Sequence, residues 1–395
     1  MSVCVGESAE IYLDKRYGDE SVAKQVFVSL ITGFLYAVVG FNISYTGIIV
    51  PQLLDERNTS TIETTPAKLS WIVSANILGM PLSGLLSGMV VDRFGRVNTM
   101  KFYCVPSVIG WFLIAIAKTA DVIIVGQFVV GFSISFLINS VFVYMAEVTH
   151  PKLRGLFLSS IGLYLSVGLF IIYFQGRFFH WRSIAWIIIS YTIVASGLLY
   201  FIPESPSWLV SKNRIKQATA SLNWFCKDGD NVKVAVKINN LIDENLDKME
   251  RENKVSFSTL AQPTVIKPFL ILTGLFTFQQ FTGVEVITSN IIIFFREMGV
   301  TYDLYLVTST IAVLRIIMSA ASLWISKVFN RRAQLFVSGF GMASSLSLSA
   351  LTTKWMQQNQ CEMWIPTVLV MAYYVFSCWG VFVVPLRAIG RTFSP

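Results

Sequence analysis

Ten long apolar runs fill this chain, and one charged stretch, Pro203 to Lys267, divides them six and four. A helix needs roughly 20 mostly apolar residues to cross about 30 Å of hydrocarbon. Without water in the bilayer, each run must satisfy its backbone hydrogen bonds internally, which only helices and closed barrels achieve. The pattern predicts an all-α membrane protein: residues 22–202 as a six-helix bundle, 203–267 as a connector, 268–385 as an incomplete second bundle of four spans. Only 14% of residues are charged and 54% are hydrophobic, where a soluble chain carries about a quarter charged residues.

The expected spans are 22–50, 71–91, 100–117, 122–146, 155–173 and 183–202, then 268–295, 302–328, 335–351 and 364–385. In the second, Gly79, Gly84 and Gly88 recur at helical spacing, which suits close helix packing. Within the connector, 215–226 and 234–251 are amphipathic and predict short solvent-facing helices. Residues 1–21 form a polar tail unlike a cleavable signal, so the first span acts as an uncleaved one. Residues 386–395 read as an altered or truncated end.

The net charge of +8 would suit nucleic acid, but its placement argues for topology. With the N-terminus inside, outer loops hold seven of the 31 Lys and Arg, Arg315 lies within a span, and the rest are inside. That bias is the positive-inside rule, so no nucleic-acid partner is implied. Asn58-Thr59-Ser60 is a glycosylation sequon on the permitted outer side. Five scattered cysteines and two histidines offer no zinc spacing. His150 and His180 fall at opposite membrane faces, so no catalytic set converges, and neither an enzyme nor a cofactor is expected.

Three polar patches fall on the inner face. GMVVDRFGRVN sets Gly88, Asp92, Arg93, Gly95 and Arg96 in a tight turn after span 2, where an acid and two bases can lock helix ends through charge-assisted hydrogen bonds. Simple anchoring by the positive-inside bias would also explain the arginines. Glu147 with Arg154-Gly155 offers a second acid–base pair, and Pro203-Glu204-Ser205-Pro206 with Trp208 a third. A fourth patch, Gln279-Gln280-Phe281-Thr282-Gly283, interrupts an apolar run. Adjacent carboxamides suit a polyhydroxylated ligand, which offers both donors and acceptors; interhelical hydrogen bonding is the alternative. Glu285 follows Gln279 by six positions, about 240° around a regular helix. A break at Gly283, of the kind transporters place at binding sites, would let Gln279, Gln280 and Glu285 share one cavity.

DRFGR, the Tyr144/Glu147/Arg154-Gly155 patch, PESPSWL and QQFTG together resemble the sugar porter family of the major facilitator superfamily, most of all insect facilitated trehalose/glucose transporter-like proteins. The likeness runs from about span 1 to span 10. It implies two helical bundles and alternating access around a central sugar site, with Gln279 and Gln280 on sugar. Asp92, Arg93, Arg96, Glu147, Arg154 and Glu204 would then hold a cytoplasmic gate.

Several positions depart from that pattern. The family's second DRxGRR turn reads KVFNRR here, keeping Arg331 and Arg332 but losing the acid and glycine. Gln127 replaces a span 4 arginine and Gly162 a sugar-contacting glutamine, while Leu386 and Arg391 stand where tryptophan and glutamate are expected. Glu285 and Arg315 replace sugar-holding asparagines, and a pair between them, direct or through water, is expected because a lone intramembrane charge costs several kcal/mol. Snorkelling of Arg315 to the inner side is the alternative. Asn42 stands in span 1 where proton-coupled members carry an acid, so the resemblance implies uniport of a hexose or disaccharide at the plasma membrane. A transport-inactive sensor or modulator and a carrier of a charged or zwitterionic solute are the competing readings.

Overall fold

The computed structural model describes residues 21–55, 62, 64–226, 231–252, 263–359, 363–382 and 384. Asn58 and residues 386–395 lie outside them, as do the side chains of Arg331 and of both ends of the connector's last helix, 231–233 and 247–252. Ten helices among the described residues are long and apolar enough to cross a bilayer, in the six-plus-four order of the sequence.

The first group comprises α1 (Val22–Asp55), α2 (Pro66–Phe94), α3 (Arg96–Ile116), α4 (Ala120–Val148), α5 (Pro151–Gly176) and α6 (Trp181–Leu198). Several helices outrun their apolar cores because polar residues finish them. Thr65 caps α2 by accepting from the Lys68 amide, and Pro66 occupies the first turn, a combination that fixes a helix start. Helix α1 continues through Pro51 to Asp55. That last turn is tied down by Gln52, which donates to the Phe179 carbonyl at 3.2 Å and accepts from the Trp181 amide at 2.7 Å. Gly79 of α2 sits so close to the α4 backbone that an added Cβ would lie 2.5 Å from the Phe132 nitrogen. Gly84 and Gly88, expected to do the same, face open space: only the α2 face carrying Asn76, Gly79, Ser83 and Ser87 is buried.

The connector contributes α7 (Pro206–Ser211), α8 (Ile215–Phe225) and α9 (Asn231–Glu252). Their apolar faces meet in a small core of Trp208, Leu222, Val234 and Ile238, separate from the membrane core. The Ser21 amide and the Lys24 ammonium donate to the Phe225 and Cys226 carbonyls, fastening the connector to the start of α1.

The second group holds α10 (Pro263–Phe281), α11 (Val284–Ser289), α12 (Ile291–Met298), α13 (Leu304–Val328), α14 (Arg331–Gln358) and α15 (Trp364–Phe376), which runs on into a wider π turn, Ser377–Val381. Span 7 is thus three helices. Its break at Gly283, φ +76°, agrees with the sequence expectation, and a second break at Asn290 was not foreseen.

Candidate functional site

The break in span 7 is held on both sides. The Gly283 amide donates to the Gln280 carbonyl, the Thr282 hydroxyl to the Gln279 carbonyl, and the Tyr373 hydroxyl to the Thr282 carbonyl at 2.7 Å. Left-handed backbone is nearly free for glycine and strained for other residues. The freed end of α10 aims Gln279 into a cavity of about 230 Å³ between the two groups. Helices α1, α4 and α5 supply one wall, including Tyr36, Phe142 and Ser166; α10, α13, the π turn and the residue after it supply the other, with Gln279, Arg315, Ser319, Cys378 and Phe382. The Ser166 and Ser319 hydroxyls meet across it at 3.1 Å.

Arg315 is only 5% exposed and stays in this cavity wall instead of snorkelling. Its Nη1 donates to Thr288 Oγ1 at a long 3.4 Å, and its guanidinium lies 5.7 and 5.6 Å from the Tyr374 and Phe382 ring centres. Arg315 Nε and Gln279 Oε1 are both buried without a hydrogen-bond partner. Glu285 lies close enough to feel the Arg315 charge, but no ion pair joins them and Glu285 is absent from the cavity wall. The direct form of the expected pair is therefore not formed. Gln280 is exposed and points away from the cavity, because adjacent residues on a helix are turned about 100° apart.

At the connector face, the polar patches assemble differently from the sequence expectation. Arg96 makes a forked contact with Glu147, Nε to Oε2 at 3.0 Å and Nη2 to Oε1 at 2.7 Å, and reaches Asp92 at 3.3 Å. Glu147 thus takes Arg96, not Arg154; Arg154 Nε is buried without a partner. Glu204 joins no base. Its carboxylate accepts from the Arg96, Val97 and Asn98 amides at 3.0–3.3 Å, capping α3 where the helix dipole favours negative charge. Gly95, φ +101°, makes room: an added Cβ would lie 2.6 Å from Glu204 Oε2. The Trp208 indole donates to the Asp92 carbonyl and the Tyr144 hydroxyl to the Pro203 carbonyl, so the connector is stitched to this cluster. Arg93 and Gly88 are exposed and outside it, and Arg332 is exposed.

One polar group escaped sequence reasoning. Asn76 exchanges hydrogen bonds with Asn42 at 2.6 and 3.0 Å and donates to Gln127 Oε1 at 3.0 Å. The signal was available: Asn76 falls on the same α2 face as Gly79, Ser83 and Ser87.

Hydrogen bonds and ion pairs between the two groups concentrate away from the connector. Arg296 forms a bidentate pair with Asp55 at 2.9 and 3.0 Å, and Arg177 pairs with Asp303 at 3.0 Å. Deeper in, the Tyr173 hydroxyl donates to the Thr288 carbonyl at 2.8 Å.

Residues 22–386 match a family model described as "Sugar (and other) transporter". The chain belongs to that family. Curated relatives include the facilitated trehalose transporter Tret1 of Apis mellifera ligustica, 26% identical over 93% of this chain and 73% of that protein. Tret1 of Culex quinquefasciatus is 28% identical over 83% of this chain and 64% of that protein, and for Tret1 of Aedes aegypti the span is 40%. Among solved structures, the proton:xylose symporter XylE bound to 6-bromo-6-deoxy-D-glucose superposes with a TM-score of 0.72 at 18% identity, covering 92% of this chain and 82% of that one. A partially occluded inward-open form of XylE from E. coli gives 0.71 at 16% identity, covering 93% and 91%. The fold is that of the major facilitator superfamily. In this family member a neutral amide trio and a buried arginine occupy the membrane interior.

Proposed function

We propose that this chain is a facilitative carrier of a small sugar, working by alternating access at the plasma membrane with its connector in the cytoplasm. The observation that carries the reading is the cavity between the helix groups, into which a broken span turns Gln279. A buried carboxamide oxygen without a partner is costly, and a ligand hydroxyl satisfies it. The cross-group bonds lie on the side away from the connector, the arrangement expected of an inward-facing carrier. In the outward-facing state Asp92, Arg96 and Glu147 would close the cytoplasmic end, with Glu204 holding α3 in register and Arg93, Arg154, Arg331 and Arg332 available from both groups.

The amide trio supports uniport over coupling at that place, because Asn42, Asn76 and Gln127 neither gain nor lose protons; Glu285 is the acid in span 7 that a proton-coupled reading would have to use. Similarity to Tret1 proteins makes trehalose and glucose the first substrates to try. The test is uptake of labelled glucose and trehalose into liposomes holding the full chain. Wild type is expected to equilibrate one of them without response to a protonophore, and Gln279→Ala to cut the rate about tenfold, the weight of a lost hydrogen bond with its buried partner. Binding without flux in wild type would favour a sensor over a carrier.

A further inference from the structure

The cavity holds two unsatisfied groups of opposite hydrogen-bonding character. Gln279 Oε1 is an acceptor and Arg315 Nε a donor, both buried and without a partner. A guanidinium offers five N–H donors in a rigid fork. Here one long bond to Thr288 Oγ1 and two aromatic neighbours are its described contacts. A buried cation left in this condition is strongly disfavoured unless an anion completes it. Glu285 senses that charge from outside the cavity lining but makes no direct ion pair with it, so the guanidinium fork itself stays unfilled on the cavity side. A neutral sugar would answer Gln279 and leave the charge as it was.

We propose that the preferred substrate is a sugar acid, a single hexose ring bearing one carboxylate, bound with the carboxylate on the Arg315 guanidinium and hydroxyls toward Gln279. This rests on the carrier reading above and names the substrate class of the same site. A carboxylate matches the guanidinium fork and forms shorter, stronger bonds than a neutral acceptor. One anionic charge fits better than two, because Arg315 is the only Lys or Arg among the described residues lining the cavity; a phosphorylated sugar would bring an unmatched charge. The volume of about 230 Å³ falls just below the usual span of roughly 300–1,000 Å³ for small-molecule sites, which suits one ring better than two. Phe142 and Phe382 supply apolar faces for that ring, and Ser166 and Ser319 supply hydroxyls.

The experiment compares glucuronate with glucose on the full chain, at a pH where the acid is ionised. In liposomes, unlabelled glucuronate is expected to inhibit labelled glucose uptake at about one-tenth the concentration that unlabelled glucose requires. Equilibrium binding in detergent should give the same ratio. Arg315→Gln should bring that ratio to about one, and Arg315→Lys should restore part of it, since a lysine keeps the charge but not the fork. Equal potency of the two sugars in wild type, or an unchanged ratio in Arg315→Gln, overturns the proposal; with glucose flux intact, the carrier reading survives it. Tight glucuronate binding lost in Arg315→Gln, with no flux of either sugar, upholds the proposal and overturns the carrier reading. If Arg315→Gln does not fold, the wild-type ratio alone decides.

Discussion

Glu204 does more for the connector face than its place in a proline-rich joint suggests. One carboxylate satisfies three of the orphan amides at the start of α3, groups that otherwise need water or a cap. Glu204→Ala should cost about 2 kcal/mol, toward the upper end for a lost cap, seen as a lower midpoint in thermal unfolding of the detergent-solubilised chain. Gly95→Ala should be similarly damaging, because its φ is left-handed and its Cβ would strike the same carboxylate. Gly88→Ala, in open space, should be neutral or slightly stabilising, since alanine favours a helix by about 1 kcal/mol over glycine. The sequence made the residue types of this cluster legible: acids and bases around a glycine turn. Their partners were not, because the choice of Glu147 between Arg96 and Arg154 depends on how three helix ends converge. Likewise, Arg93 and Arg96 read alike in DRFGR, yet only the second is turned inward.

At the scale of elements, span 7 was the most informative and the least regular. Glycine within a polar island predicted the first break, since few other residues take a positive φ. Asn290 gave no such warning; its φ of −121° is open to any residue, and the second break lies beside α1, where Thr46 reaches the Ser289 carbonyl at a long 3.4 Å. Which glutamine faces the cavity depends on how α10 is rotated against its neighbours: Gln279 lines it and Gln280 does not. Gly283 has nothing within 4 Å of an added Cβ, so Gly283→Ala should cost only the backbone strain, about 1–2 kcal/mol. That strain favours a straighter helix that withdraws Gln279, so sugar uptake should fall more than stability does. Gly283→Asn, which visits the left-handed region more readily, should retain more uptake than Gly283→Ala. Equal losses in the two would place the effect in side-chain bulk instead of backbone conformation.

For the whole molecule, the charge bias of the loops indicates sidedness but carries nothing about which end of the cavity is shut, because that is a balance between two arrangements of the same bundles. Here the balance includes two ion pairs away from the connector, Arg296–Asp55 and Arg177–Asp303, each partly exposed. Exposed pairs contribute about 0.2–1 kcal/mol apiece, little for folding but enough to tilt an equilibrium between states only a few kcal/mol apart. Replacing Asp55 and Asp303 together by asparagine should remove about 1 kcal/mol and raise the population open on that side roughly five-fold. Cys378 is a natural reporter, being buried in the cavity wall. In a variant keeping only this cysteine, an impermeant thiol reagent applied from the side away from the connector should label the Asp55→Asn/Asp303→Asn chain several-fold faster than its parent. High salt should accelerate the parent alone, since screening weakens the same pairs. Unchanged labelling would mean that closure rests on the buried contact of Tyr173 with Thr288, where salt does not reach.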